Sequence, residues 1–177
     1  RCDVPKNWKS MNEIRIIDTH CHLDFNELNT RLDEVVKHAK TNNVTDMVTI
    51  STNLSRIDTV KDISEQYQEV FFTVGVHPNE AHKDKRYDDH HFIENYSNHE
   101  KCVGIGEGGL DYFYNMDNMK LQKKSLEVQI NVARSTNLPM IIHSRDAEDL
   151  TYDILSKYSK KDNLKIFSDN QVDYLDK

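Results

Sequence analysis

Three things are scarce in this chain of 177 residues. Cysteine is the first: Cys2, Cys21 and Cys102 are odd in number and scattered, so they build no disulfide framework, and a reducing compartment is expected. Long hydrophobic runs are the second. No apolar stretch approaches the length that crosses a bilayer, and the first 30 residues lack the basic-then-apolar order of a secretory signal. The expectation is a soluble, cytoplasmic protein with no membrane partner. The third is surplus positive charge: 23 basic against 30 acidic side chains leave a net charge of −7, with both signs mixed along the chain. That balance argues against a protein that wraps duplex DNA, which needs many lysine and arginine contacts to phosphate. It leaves room for an enzyme that grips one or two phosphates through metal ions.

What is present is alternation. The length suits one well-buried core, so a single domain over 1–177 is expected, with an N-terminal extension over 1–13. Short β-branched runs at 14–17, 47–50, 70–76, 102–105, 140–142 and 164–167 are separated by longer polar stretches. Helical spacing of Leu32, Val35, Val36 and Ala39 predicts a helix over 28–41, and that of Leu121, Leu126, Ile130 and Ala133 one over 119–137. A third is predicted over 147–158. Six strands alternating with helices imply a parallel sheet, either a barrel or a doubly wound sheet.

The polar residues decide between them. His20 and His22 end the first strand, His77 follows the third, Glu107 the fourth and His143 the fifth. In a (β/α)₈ barrel all strand carboxyl ends gather at one face, whereas an open sheet strings them along an edge. Residues from the first, fourth and fifth strands converge easily only if the sheet curves round, so a TIM-type α/β barrel is predicted.

Within Asp18-Thr19-His20-Cys21-His22, strand alternation puts both histidines on one face of a buried strand, roughly 6.6 Å apart at Cα, as a metal-binding pair. Glu107 sits in Gly106-Glu107-Gly108-Gly109, where the glycines permit a tight turn and the carboxylate can bridge two cations. His143 leaves a buried strand toward the same mouth. Arg145, two residues on, offers a planar fork to a phosphate or a salt bridge to a helix acid. His77, before Pro78, can contact substrate or carry a proton. His82, His90, His91 and His99 read as solvated surface. Asp18 and Asp111 are candidates for orienting ligand imidazoles.

Four segments in register, Ile17-Asp18-Thr19-His20-Cys21-His22-Leu23, Val74-Gly75-Val76-His77-Pro78, Gly104-Ile105-Gly106-Glu107-Gly108-Gly109-Leu110-Asp111-Tyr112 and Ile141-Ile142-His143-Ser144-Arg145-Asp146, resemble the TatD-like metal-dependent deoxyribonucleases. Gly108 stands where that family more often has a larger residue. The resemblance implies a barrel with two divalent ions, Mg, Mn or Zn, cleaving phosphodiester bonds in DNA by a water that the metals activate. His20 and His22 would hold one ion, Glu107 would bridge both as the catalytic carboxylate, and His143 would hold the second. His77 and Arg145 would contact the substrate, single-stranded DNA or DNA ends. A related hydrolase of amides, esters or small phosphate esters, or a truncated non-catalytic relative, are the competing readings.

The resemblance breaks near the end. Lys165-Ile166-Phe167-Ser168-Asp169 stands where the family has a His-Cys-Phe-Ser-Gly segment, so an ammonium replaces a ligand, and Asp169, Asp173 and Asp176 lie in no matching motif. A barrel of about six βα units, incomplete at its C-terminal side, exposes two sheet edges. Self-association covering the gap is one expected consequence.

Overall fold

The structure is a computed structural model that describes residues 14–114, 116–159 and 165–168. Its framework is one sheet of six strands: β1 (Ile16–Cys21), β2 (Val44–Thr49), β3 (Val70–Val74), β4 (Cys102–Asp111), β5 (Met140–Arg145) and β6 (Ile166–Ser168). Each strand pairs in parallel with the next, in the order β1-β2-β3-β4-β5-β6. Sequential order without a reversal has no switch point, which removes the doubly wound alternative and leaves the topology of an incomplete TIM-type barrel. Among the described residues six α-helices lie between the strands: α1 (Asn26–Asn29), α2 (Leu32–Thr41), α3 (Ile57–Gln66), α4 (His90–Ser97), α5 (Met119–Thr136) and α6 (Glu148–Ser159).

The elements depart from the sequence reading where tertiary contacts override local pattern. β1 starts two residues later than expected and runs through polar Asp18, Thr19 and His20, because pairing with Met47 and Thr49 of β2 holds that backbone extended. The helix expected over 28–41 is two helices interrupted at Thr30 and Arg31. Two further helices lay outside the three predicted. α3 buries Ile57, Val60, Ile63 and Ser64 along one stripe. α4 begins inside the stretch read as solvated surface: Asp89 caps it by accepting from the Phe92 N–H at 3.0 Å, and Ile93 is fully buried. At the end of α5, Asn137 adopts a left-handed conformation (φ 56°), a stop suited to asparagine.

The larger core joins β3, β4 and β5 to α3 through α6, with Phe72, Ile105, Met140 and Ile142 wholly out of water. Each such side chain contributes about 1.5–3 kcal/mol of burial. A smaller core joins β2 to α2 through Met47, Leu32 and Val36. The first half of β1 belongs to neither, so the expected buried strand needs correction. Ile14, Ile16 and Ile17 are 44%, 46% and 58% exposed, because among the described residues β1 has a strand neighbour on one side only. No helix of the described residues is long and apolar enough to cross a membrane. The extension over 1–13, Leu164 at the start of the sixth run, and Asp169, Asp173 and Asp176 lie outside the described residues.

Candidate metal centre

Glu107 is the centre of the site. It is 5% exposed, and its two carboxylate oxygens face different pairs of imidazoles. Oε2 lies 3.5 Å from His20 Nε2 and 3.8 Å from His22 Nε2; Oε1 lies 3.3 Å from His143 Nδ1 and 4.0 Å from His77 Nε2. In a flat sheet β1 and β5 would stand about 19 Å apart, four strand spacings. Their histidines instead meet one carboxylate, so the sheet is strongly curled. All five predicted residues around the mouth are brought together.

Local backbone chemistry aims Glu107. It was expected in a turn after the fourth strand, but β4 continues through it, and a bulge does the work of the turn. Ile105 pairs with Met140 and Gly108 with Ile142, so β4 spends one residue more than β5 over the same distance. The extra residue is accommodated at Gly106, whose φ of 105° is closed to other side chains. The Glu107 N–H then reaches across to the Ser51 carbonyl at 3.4 Å. At Gly108, an added Cβ would lie 2.8 Å from Gln129 Oε1. The buried Gln129 amide fills that space and ties α5 to the chain after β3, accepting from Val76 N–H and donating to Val76 O, both at 3.1 Å.

The histidines are oriented by their other ring nitrogens. His22 Nδ1 donates to the Ile50 carbonyl at 3.1 Å, so in the neutral ring Nε2 presents a lone pair toward Glu107. His143 Nε2 donates to Asp111 Oδ2 at 3.1 Å, which leaves Nδ1 as the face toward Glu107. His77 is wired the opposite way. Its Nδ1 accepts from the Asn79 N–H at 3.1 Å, so the neutral ring carries its proton on Nε2. Burial, only partly opposed by the Glu107 charge, pushes the His77 imidazole down to about 4, and the ring is neutral at physiological pH.

Asp111, fully buried at the end of β4, gathers the outer support. Its Oδ2 accepts from His143, from Asn79 Nδ2 at 2.7 Å and from Arg145 Nε at 3.1 Å. Burial alone would raise this carboxyl, but the hydrogen bonds from Arg145, Asn79 and His143 outweigh it and hold Asp111 below the ordinary carboxylate range. Arg145 therefore makes the salt bridge weighed from the sequence, to a strand acid rather than a helical one. Asp18 accepts from the backbone N–H of His20 at 3.1 Å.

These residues fit a cation chemically. Carboxylate oxygens of Glu107 face ring nitrogens whose protons, at His22 and His143, are committed elsewhere, and two electron-rich atoms at 3.3–3.8 Å repel unless a positive charge stands between them. Donor atoms of His20, His22 and Glu107 all lie within 4.8 Å of one another; those of His77, Asp111 and His143 do as well, but there the hydrogen bond from His143 to Asp111 accounts for the approach. Two donors about 2.1 Å from a common ion lie about 3–3.5 Å apart, close to the spacing seen around Glu107.

Residues outside the centre sort differently. A third trio, His90, His91 and Glu94, lies on the first turn of α4 with the His91 side chain 96% exposed, as surface placement requires. His99 departs from that placement: its ring packs on Phe72 and its Nε2 meets Glu65 at 3.1 Å. Lys165 precedes β6, and its carbonyl accepts from the Met140 N–H, level with the start of β5. Three residues of strand, about 10 Å, separate that level from His143. Asn79, Ser51 and Phe25, which stacks on His22 at 4.7 Å, were not singled out in the sequence; none lies in a metal-ligand pattern.

The cluster opens on a cleft of about 510 Å³ lined by His22, Phe25, Arg56, His77, Asn79 and Glu107, among others. The sequence profile of the family described as TatD related DNase matches residues 17–169. An uncharacterized metal-dependent hydrolase of Buchnera aphidicola is 35% identical over 152 residues, covering 80% of this chain and 57% of its own length. The uncharacterized metal-dependent hydrolase YabD of Bacillus subtilis is 36% identical over 142 residues, covering 80% and 55%. Among solved structures, the TatD homolog YjjV of Escherichia coli superposes with a TM-score of 0.76 at 27% identity, over 81% of this chain and 56% of that one. The chain spans about half the length of the curated relatives it matches.

Proposed function

This chain belongs to the TatD-related DNase family of metal-dependent hydrolases, and from that premise we propose that its cluster cleaves phosphodiester bonds in DNA with two divalent ions. One observation carries the reading: the Glu107 oxygens divide the imidazoles into two groups, Oε2 toward His20 and His22, Oε1 toward His143. One ion would be held by the first group and one by the second, with Mg, Mn and Zn all compatible with this donor set. When bound, such a pair activates water as a nucleophile and neutralises charge gathering on the phosphoryl oxygens.

The chain's own groups do the rest. Asp111 fixes His143 with Nδ1 toward Glu107, and the Ile50 carbonyl fixes His22. His77 holds its proton at Nε2 and offers it as a neutral hydrogen-bond donor to a phosphate oxygen; its depressed pKa suits that role better than proton carriage. Arg145, anchored to Asp111 but 38% exposed, contributes guanidinium N–H groups and charge to a neighbouring phosphate. An acidic chain can take a polyanion this way because the cations supply the local attraction.

The test is metal content and cleavage of single-stranded DNA in added magnesium or manganese. Wild type is expected to bind divalent ions and cleave, Glu107→Ala to lose both, and exposed His82→Ala to match wild type. Cleavage of an amide but not of DNA would move the assignment to a related hydrolase. Fewer than one ion per chain together with no cleavage would favour a non-catalytic relative.

A further inference from the structure

The segment leaving β4 carries two aromatic rings that the metal cluster does not use. Phe113 and Tyr114 are 60% and 68% exposed, whereas Tyr112 just before them packs against the core. Their rings meet edge to face, centroids 4.8 Å apart at 87°. Arg145 lies over both, its guanidinium carbon 5.1 Å from the Phe113 centroid and 4.5 Å from that of Tyr114. The segment is pinned at its base: the Phe113 N–H donates to Asp111 Oδ1 at 3.1 Å, and the Tyr112 N–H to the Arg145 carbonyl at 3.0 Å. Asp111 in turn holds His143, so a single carboxylate links the aromatic pair to the candidate metal centre.

Core packing does not explain rings this exposed, and a recognition surface does. We propose that Phe113 and Tyr114 form a stacking platform for an unpaired base of a DNA single strand, placing the adjoining phosphate at Arg145 and the cluster. The proposal rests on the DNA-cleaving reading and adds to it how an acidic protein holds its substrate. Away from the bound ions and Arg145, a net charge of −7 offers no broad electrostatic grip on a polyanion, so further affinity must come from contacts indifferent to charge. Stacking on aromatic faces is such a contact, and it tolerates any base sequence. It also discriminates, because bases inside a duplex are already stacked and only single strands or frayed ends can use the platform.

Fluorescence anisotropy of the whole chain tests this in excess chelator, where no cleavage occurs. Three labelled probes are compared: an oligothymidylate about twelve residues long, an abasic sugar–phosphate strand of equal length, and a duplex. Wild type is expected to bind the oligothymidylate about tenfold tighter than either other probe. Phe113→Ala with Tyr114→Ala should erase that margin, and Phe113→Tyr with Tyr114→Phe should keep it, both with wild-type circular dichroism. Equal binding of abasic and base-bearing strands, no binding of either, or an unchanged margin in the alanine variant overturns the platform; rings that serve a protein partner would give one of these results. Cleavage in manganese is read separately. Cleavage without the binding margin sinks the platform alone, and the margin without cleavage sinks the nuclease reading alone.

Discussion

Among the described residues β1 stands at an edge of the sheet and β4 near its middle, yet His20 of one and Glu107 of the other lie 3.5 Å apart. β4 is buried along nearly its whole length, between strands on both sides and under α5. β1 starts in solvent, with Ile16 and Ile17 open, and enters the protein only at its carboxyl half, where Cys21 donates to the Val48 carbonyl and His22 to that of Ile50. Hydrogen bonds to β2 and the segment after it fix the histidine pair locally, while the bulge in β4 brings the carboxylate to them.

The largest expected effect concerns one thiol on each strand. Burial pushes both the Cys21 and the Cys102 thiol from 9.0 up to about 12, with the Asp18 and Asp24 charges adding to the effect at Cys21. At about pH 8 the reactive thiolate is then roughly a thousandfold rarer in the folded chain than in the unfolded one. With Cys2→Ser leaving only these two thiols, a disulfide reagent should react about a thousandfold more slowly before urea unfolding than after it. Since both folded values are raised, this contribution to stability is complete below about pH 9 and is lost as pH climbs from 9 to 12. A Cys21 that reacts quickly while Cys102 stays silent would show that the edge strand opens by itself.

Next in size is the bulge. Gly106→Ala forces a side chain onto a φ of 105° with its Cβ 2.5 Å from the Ile141 carbonyl oxygen. Strain of roughly 1–3 kcal/mol is expected in urea denaturation, together with loss of divalent-ion binding as Glu107 is turned aside. Retained metal affinity in a folded Gly106→Ala chain would mean that the bulge does not aim the carboxylate.

The smallest effect is expected at the open end of β1. Ile17→Thr should change stability by no more than about 0.5 kcal/mol, because the side chain already faces water. Sedimentation should meanwhile show less self-association, since an apolar exposed edge is a template for pairing. A stability loss several times larger would mean that another copy or further chain covers this edge.

The residues that meet at the mouth were legible because each is a polar residue at the end of an apolar, β-branched run, a pattern that survives without any knowledge of the neighbours. α3 had a readable stripe in Ile57, Val60 and Ile63 but lay outside the predicted helices, and α4 was hidden by the polar residues around Ile93. The course of β4 was harder to read. Three glycines around one glutamate suggest a turn, and only pairing with β5 shows that they carry a strand through a bulge. The opposed wiring of His22 and His77 was not legible either, since each ring's proton is placed by a backbone group distant in sequence or by a turn that forms only on folding.

Residue types and their spacing were enough to say which side chains could serve as ligands, that βα units deliver them, and that charge alone would not hold a nucleic acid. Folding was needed for the split of Glu107 between two histidine groups, the proton of neutral His77 on Nε2, the gathering of His143, Asn79 and Arg145 on Asp111, and the placing of Phe113 and Tyr114 beside Arg145. The reason is geometric. Residue type and spacing are properties of the local chain, whereas a distance of 3–4 Å between side chains of β1 and β4, which a flat sheet would hold about 14 Å apart, exists only once the sheet has curled.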